Sequence, residues 1–344
     1  MFFPMTFMSP KPIIVVPGSI PKMMRSFANF NLLFCAMIAI PNKVKQFLVF
    51  TAKVLIVTGA FYFIWNQLAN NEQLDWEKFT TLFRKNQSVG GILFILLLSF
   101  LNRFFEILKW QNLVSSIRKI SLPESTKQVL GALTAGIFTP NGVGEYAGKA
   151  LFYEKELTKQ ILFLNLICNG VQMILSVIFG TIGLWVLGYG FWVLIIFSLG
   201  FGLWIIGFGF RKITLKGYSI EKLIQKINEI PKEIHRKNIA FAVLRYLTFS
   251  HQYYFLFLAF DVDLPYITLM ATITAVYFLA SSLPTFQFLD FAVKGGVSIY
   301  FFGLLGVNEW IIVFISTLMW FLNVVLPVII GSYYVLNFKS RKIT

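Results

Sequence analysis

Charged residues are scarce in this chain. Asp, Glu, Lys and Arg make up only 13% of its 344 residues, about half the roughly 25% of a soluble domain. That deficit excludes an ordinary water-soluble fold. Acids are rarer than bases, 15 against 30, and such a balance invites a nucleic-acid reading. The basic residues lie between apolar runs, however, which is the positive-inside pattern of membrane proteins; no nucleic-acid partner is expected. Two cysteines, Cys35 and Cys168, cannot build a disulfide framework, and neither sits in a ligand cluster. The two histidines, His235 and His251, have no partner motif. No catalytic metal and no cofactor is expected.

Apolar residues are what the chain has in excess. They make up 57% of it, and 39 are Phe, a composition suited to lipid-facing helices. Several runs reach or approach the roughly 20 residues needed to cross a bilayer. Runs of that length exclude the weak alternation of an outer-membrane barrel. The expected fold is an all-α polytopic membrane bundle. Six full spans are read near 46–65, 91–108, 158–187, 190–210, 239–260 and 307–338, the last with a kink or tilt at Pro327. Residues 1–45 hold Pro4, Pro10, Pro12, Pro17 and Pro21 and read as a poorly structured extension. They fit a cleavable signal peptide badly, and translation is expected to start near Met23, Met24 or Met37. The transmembrane domain is placed at 46–338, with a tail at 339–344.

Loop charge sets the orientation. Residues 1–46 have five Lys/Arg and no acid, 109–127 have four bases against Glu124, and 211–237 have eight bases against three acids. The tail carries Lys339, Arg341 and Lys342, whereas 66–89 is balanced and 261–265 has only Asp261 and Asp263. Both termini and the basic loops are therefore expected in the cytoplasm. Two apolar stretches then fail to fit as spans. The 12 residues of 128–139 cannot cross about 30 Å at 1.5 Å each, so 128–157 is expected to enter from the cytoplasm and return. By the same bookkeeping 266–306 dips in from outside. Within loop 211–237, Ile220, Leu223, Ile224, Ile227 and Ile230 repeat at helical spacing. They predict an amphipathic helix near 219–230, lying on the inner leaflet or packed on the bundle.

The two unfitted segments resemble each other. "TPNGVGEYAGKA" (139–150) and "LPTFQFLDFAVKGG" (283–296) each place a proline, then an acid, then a lysine four residues later. The pairs are Glu145–Lys149 and Asp290–Lys294. Downstream, "SVIFGT" (176–181) answers "PVIIGS" (327–332). Because the copies enter from opposite sides, two re-entrant helical hairpins in an inverted repeat are expected, with a binding site where they meet. Irregular backbone at membrane depth is tolerated inside protein or beside a wet cavity. Pro140, Gly142 and Gly144 in one copy, and Pro284, Gly295 and Gly296 in the other, are the expected breakers. The acid–lysine pairs either neutralise each other as structural i,i+4 pairs or mark a substrate pathway.

Other polar residues fall on helical faces. Asn165, Asn169 and Gln172 share one stripe, and Arg245, Thr248 and Gln252 another. Asn102, Arg103 and Glu106 cluster near the inner end of span 91–108, where Arg103 either snorkels to the interface or joins the site. The candidate substrate-binding set is Glu145, Lys149, Asp290, Lys294, Arg245, Asn169, Arg103 and Glu106.

These motifs resemble a known family. "TPNGVGEYAGKA" is similar to the Pro-x-x-x-Gly-Glu signature of the lysylphosphatidylglycerol synthase transmembrane region, the flippase-like membrane domain. "SSLPTFQFLDFAVKGGVSIYFFG" resembles its second signature in stand-alone, Bacteroidetes-type members, and "RFFEILKWQNLV" its Trp-containing helix end. The resemblance covers about residues 40–338. It implies an inner-membrane bundle of roughly eight helices whose relatives move aminoacylated phosphatidylglycerol between leaflets. The signature acids fall on Glu145 and Asp290. Here Asp290 stands where the family pattern has Glu, and Lys294-Gly295 where it has Arg-Gly. Lysine keeps the charge and loses the planar fork. The synthases also carry a soluble aminoacyl-transferase domain; none is expected in these 344 residues, and no enzymatic activity with it.

A multi-pass inner-membrane translocase of phospholipid or a lipid-linked substrate is therefore the leading functional expectation, with membrane lipids as its partners. The alternatives are an intramembrane lipid-modifying enzyme using Glu145 or Asp290 as acid/base, and a non-transporting scaffold with an envelope-biosynthesis protein as partner.

Overall fold

Charged and polar side chains are buried in this molecule alongside its apolar core, while many large apolar ones are exposed. The first long helix shows this most plainly. Val89, Ile92, Leu93, Leu97 and Phe100 are exposed along it, while Ser99, Asn102, Glu106 and Lys109 on the opposite face are 9% to 0% exposed. In water that arrangement would cost free energy on both faces. In a hydrocarbon solvent the outer face is at home, and the buried polar groups need only find one another.

The computed structural model describes residues 88–137, 139, 142–209, 219–283 and 285–338, preceded by the isolated residues 47, 51, 62 and 81. The predicted extension, nearly all of span 46–65, the tail, Pro140 and Pro284 lie outside these residues. Of two units, Met1–Thr51 and Ala52–Thr344, every element below belongs to the second.

The fold is all-α. In order come α1 (Val89–Val114), α2 (Leu122–Gly136), α3 (Val143–Ala150), α4 (Thr158–Val186), α5 (Gly190–Gly209) and α6 (Ile220–Glu229). Then follow α7 (Lys232–Ala259), α8 (Tyr266–Ser282), α9 (Asp290–Gly303), α10 (Glu309–Trp320) and α11 (Leu326–Leu336). Local chemistry sets several starts. The Ser121 hydroxyl accepts from Glu124 N–H at 3.3 Å to open α2, Ser219 accepts from Lys222 N–H to open α6, and Asn308 accepts from Trp310 N–H to open α10. A π turn, Phe321–Val325, joins α10 to α11 just before Pro327, so the anticipated irregularity lies within the last predicted span.

Three helical stretches are long and apolar enough to cross a membrane: Val89–Val114, Lys155–Val186 and Glu309–Leu336. They contain the predicted spans 91–108, 158–187 (to its last residue but one) and most of 307–338. α2, with 15 residues, extends about 22 Å and falls short of a bilayer.

Helix pairing has a reciprocal pattern. α1 and α7 pack antiparallel: Gln252 bonds Ser99 and the Ile95 carbonyl, Arg245 bonds Asn102, and Asn112 bonds the Ile234 carbonyl. α4, which follows the first short hairpin, packs antiparallel on α8, the opening limb of the second. There Gly180 lies against Phe278 and Gly183 against Ala271. α11, which follows the second hairpin, packs antiparallel on α2, the opening limb of the first, with Gly331 against Leu130 and Thr134. A Cβ at Gly180 or Gly331 would run into these neighbours.

Gly331→Ala is therefore expected to cost about 1–3 kcal/mol through overpacking, whereas Gly200→Ala, where nothing lies within 4 Å, is expected to be neutral or mildly stabilising. Thermal unfolding in mild detergent compares them, and an unchanged midpoint for Gly331→Ala would contradict the α2–α11 contact.

Candidate functional site

The first hairpin turns on Thr139 and Gly142. Gly142 takes a left-handed backbone, φ +65, which a side chain disfavours. Thr139 donates its hydroxyl to the Gly136 carbonyl at 2.6 Å and accepts from Gly144 N–H at 2.8 Å. One side chain thus satisfies both helix ends left open by the turn. Gly144 is no breaker. It lies in the first turn of α3, where a Cβ would sit 2.7 Å from the Thr139 methyl and 2.8 Å from the Ala135 carbonyl, so its role is close approach. Gly295 and Gly296 are not breakers either, because both are buried inside α9. The second turn instead includes the short helical turn Gln287–Leu289, ahead of Asp290.

The two turns touch. A Cβ on Gly142 would lie 3.2 Å from Gln287 Oε1. Beside this contact is a cavity of about 260 Å³. It is lined by Glu145 of α3 and by Asp290 and Lys294 of α9, from the two sequence motifs. Arg103 and Glu106 of α1, Asn169 of α4 and Arg245 of α7 complete the predicted set on its walls.

Lys149 does not line it. Its ammonium is fully buried behind Glu145, 2.8 Å from that carboxylate and 2.7 Å from Asn165 Oδ1, and 4.5 Å from the centre of the Trp110 ring. Trp110 N–H and the Tyr153 hydroxyl both donate to Gln128 Oε1. Burial raises the Tyr153 pKa to about 12, which keeps that hydroxyl a donor. The matching pair in α9, Lys294 with Asp290, is formed too, but both side chains are more open, 29% and 18% exposed. Its ammonium lies 5.5 Å from the Tyr277 ring centre.

At the back of the cavity Glu106 Oε2 meets Arg245 at 2.6 Å and Lys109 at 3.5 Å. Arg245 Nε donates to Asn102 Oδ1 at 3.1 Å, and Asn102 Nδ2 donates to Asn323 Oδ1 at 2.6 Å. Asn323 in turn donates to Gln252. Arg103 does not snorkel. It donates to the Asn323 carbonyl at 2.6 Å. The reason is readable in the chain: Pro327 has no N–H to offer the carbonyl four residues back, which is that of Asn323.

Three functional-looking residues were not in the predicted set. Lys109 was counted as a loop charge; α1 runs on to Val114 and buries it completely. Its signal was the i,i+3 spacing from Glu106. Asn323 was hidden in an apolar run, its signal being Pro327. Gln287 had none beyond lying in the second motif. Of the predicted stripes, Gln172 lines the cavity while Thr248 is outside it, half-buried and bonded to the Leu244 carbonyl.

No protein-family model matches the chain, and no curated protein sequence does.

Glu106→Gln is expected to cost about 3–5 kcal/mol, since it strips the buried Lys109 and the half-buried Arg245 of their shared counter-ion. Unfolding of purified protein in detergent measures this. A loss below about 1 kcal/mol, the scale of a solvated pair, would contradict the buried network.

Proposed function

We propose that this chain is a flippase-like translocase that passes the head group of a membrane lipid across a bacterial inner membrane, in the manner of the family its two motifs resemble. The observation that carries this reading is that the two turns abut and that both signature acids, Glu145 and Asp290, line one cavity beside them. At about 260 Å³ the cavity lies just below the 300–1,000 Å³ of sites that engulf drug-sized ligands. It suits a polar head, with acyl chains left in the bilayer.

The inverted repeat belongs to the same proposal. Exchanging α1 with α7, α2 with α8, α3 with α9 and α4 with α10–α11 maps the observed pairings onto each other. The side chains follow: Arg245 bonds Gln172 of α4, Arg103 bonds Asn323, and Gln172 and Asn323 each lie eight residues before Gly180 and Gly331. Since α1 and α7 run antiparallel, the axis that exchanges them is perpendicular to the helices. With the helices spanning, it lies in the membrane plane, and α2–α3 and α8–α9 become hairpins entering from opposite leaflets. Both termini are then cytoplasmic, α6 with its exposed Ile220, Ile224 and Ile227 rests on the inner leaflet, and membrane lipids are the partners. No bond is made or broken, so Glu145 and Asp290 act as balancing charges.

In proteoliposomes, Glu145→Ala and Asp290→Asn are each expected to lower leaflet-to-leaflet transfer of a fluorescent phospholipid tenfold or more, with folding unchanged by circular dichroism. Wild-type transfer rates in both folded variants would contradict the proposal.

A further inference from the structure

The charges around the cavity do not balance. Among the described residues, the cations are Arg103, Lys109, Lys149, Arg245 and Lys294, and the carboxylates are Glu106, Glu145 and Asp290. Five against three leaves two positive charges in excess. The lysines of α3 and α9 are matched one to one, by Glu145 and Asp290. Glu106 is shared between Arg245 and Lys109. Arg103 has no carboxylate among the described residues; its one hydrogen bond goes to a neutral carbonyl, and its buried Nε has no partner. Excess charge in such a setting is costly unless a ligand supplies the opposite sign.

The excess is also localised. Arg103 and Arg245 both line the cavity, linked through Asn102 and Asn323. Two guanidinium groups lining one space suit the oxygens of a phosphate: Arg103 spends one donor on the Asn323 carbonyl, and Arg245, held by Glu106, Gln172 and Asn102, adds its charge. We propose that the cavity takes a doubly charged phosphate, a phosphate monoester or diphosphate head, in preference to a singly charged phosphodiester or a head group bearing an ammonium. A dianion neutralises the site. A phosphodiester leaves one charge uncompensated, and an added ammonium restores the excess. The lipid-translocase reading supplies the source of this phosphate, a lipid head; the charge balance itself is independent of that reading.

The test uses the purified full chain in detergent, with binding read by tryptophan fluorescence. The probes are dioctanoyl phosphatidic acid, a monoester; dioctanoyl phosphatidylglycerol, a diester; and inorganic phosphate. At pH 8 the monoester is expected to bind about tenfold tighter or more, the scale of one additional charge-assisted hydrogen bond. Its advantage should shrink toward pH 6, because the second ionisation of a phosphate monoester lies at about 6. The five cations, the three carboxylates, Tyr253 and Tyr277 surround the site whichever lipid is bound, so the diester controls for their titration. Arg103→Gln should remove most of the advantage. Equal affinity for the two lipids in wild type at pH 8, or a preference untouched by Arg103→Gln, would overturn the proposal. Because the wild-type comparison needs no variant, misfolding of Arg103→Gln cannot hide the answer. Inorganic phosphate binding as tightly as the monoester would uphold the charge assignment and count against a lipid source. Lipid transfer without monoester preference would sink this inference and leave translocation standing.

Discussion

The ion pair between Glu106 of α1 and Arg245 of α7, 2.6 Å long, is the contact around which the rest is arranged. A guanidinium and a carboxylate in a bundle with an apolar exterior survive only together. Their pairing sets the register of α1 against α7, and α1 against α7 sets where the two short hairpins meet. Lys109 completes a triad on the same carboxylate, and Asn102 and Asn323 carry the network on to Arg103. Disturbing one member exposes the others to an apolar surrounding, so the site and the fold share one set of stabilising contacts.

Much of the architecture was legible in the amino-acid order because a bilayer imposes simple demands. Length and hydropathy located, to within a few residues at most ends, three helices long and apolar enough to span, since a helix must cover about 30 Å. The shortness of 128–139 announced a hairpin that could not cross. The glycines of "SVIFGT" and "PVIIGS", noticed only as a similarity, turned out to be the places where α4 meets α8 and α11 meets α2. Small residues mark close helix contacts in general; which helix fills the gap depends on tertiary arrangement that no local pattern encodes.

The site was legible in part. Acid–lysine spacing pointed to Glu145 and Asp290, and both line one cavity. Lys149 shares the spacing of Lys294 yet faces away, because Trp110 and Asn165 shelter it. Lys109 was missed because a positive residue near a span end reads as a loop charge, and only the extra turns of α1 bury it. Asn323 was missed because one amide in an apolar run gives no periodic signal. Gly295 and Gly296 were misread as breakers because glycine also serves inside helices that pack closely.

The claim that everything else needs is that the two turns abut. Pairing Gly142→Cys with Gln287→Cys, in a chain with Cys35 and Cys168 replaced by serine, tests it by crosslinking in native membranes with a short bifunctional thiol reagent. The left-handed backbone at 142 costs the new cysteine about 1–2 kcal/mol, small enough for the fold to tolerate. The account predicts efficient crosslinking within one chain. Crosslinking no faster than for a control pair of Gly142→Cys with Gly200→Cys would contradict it.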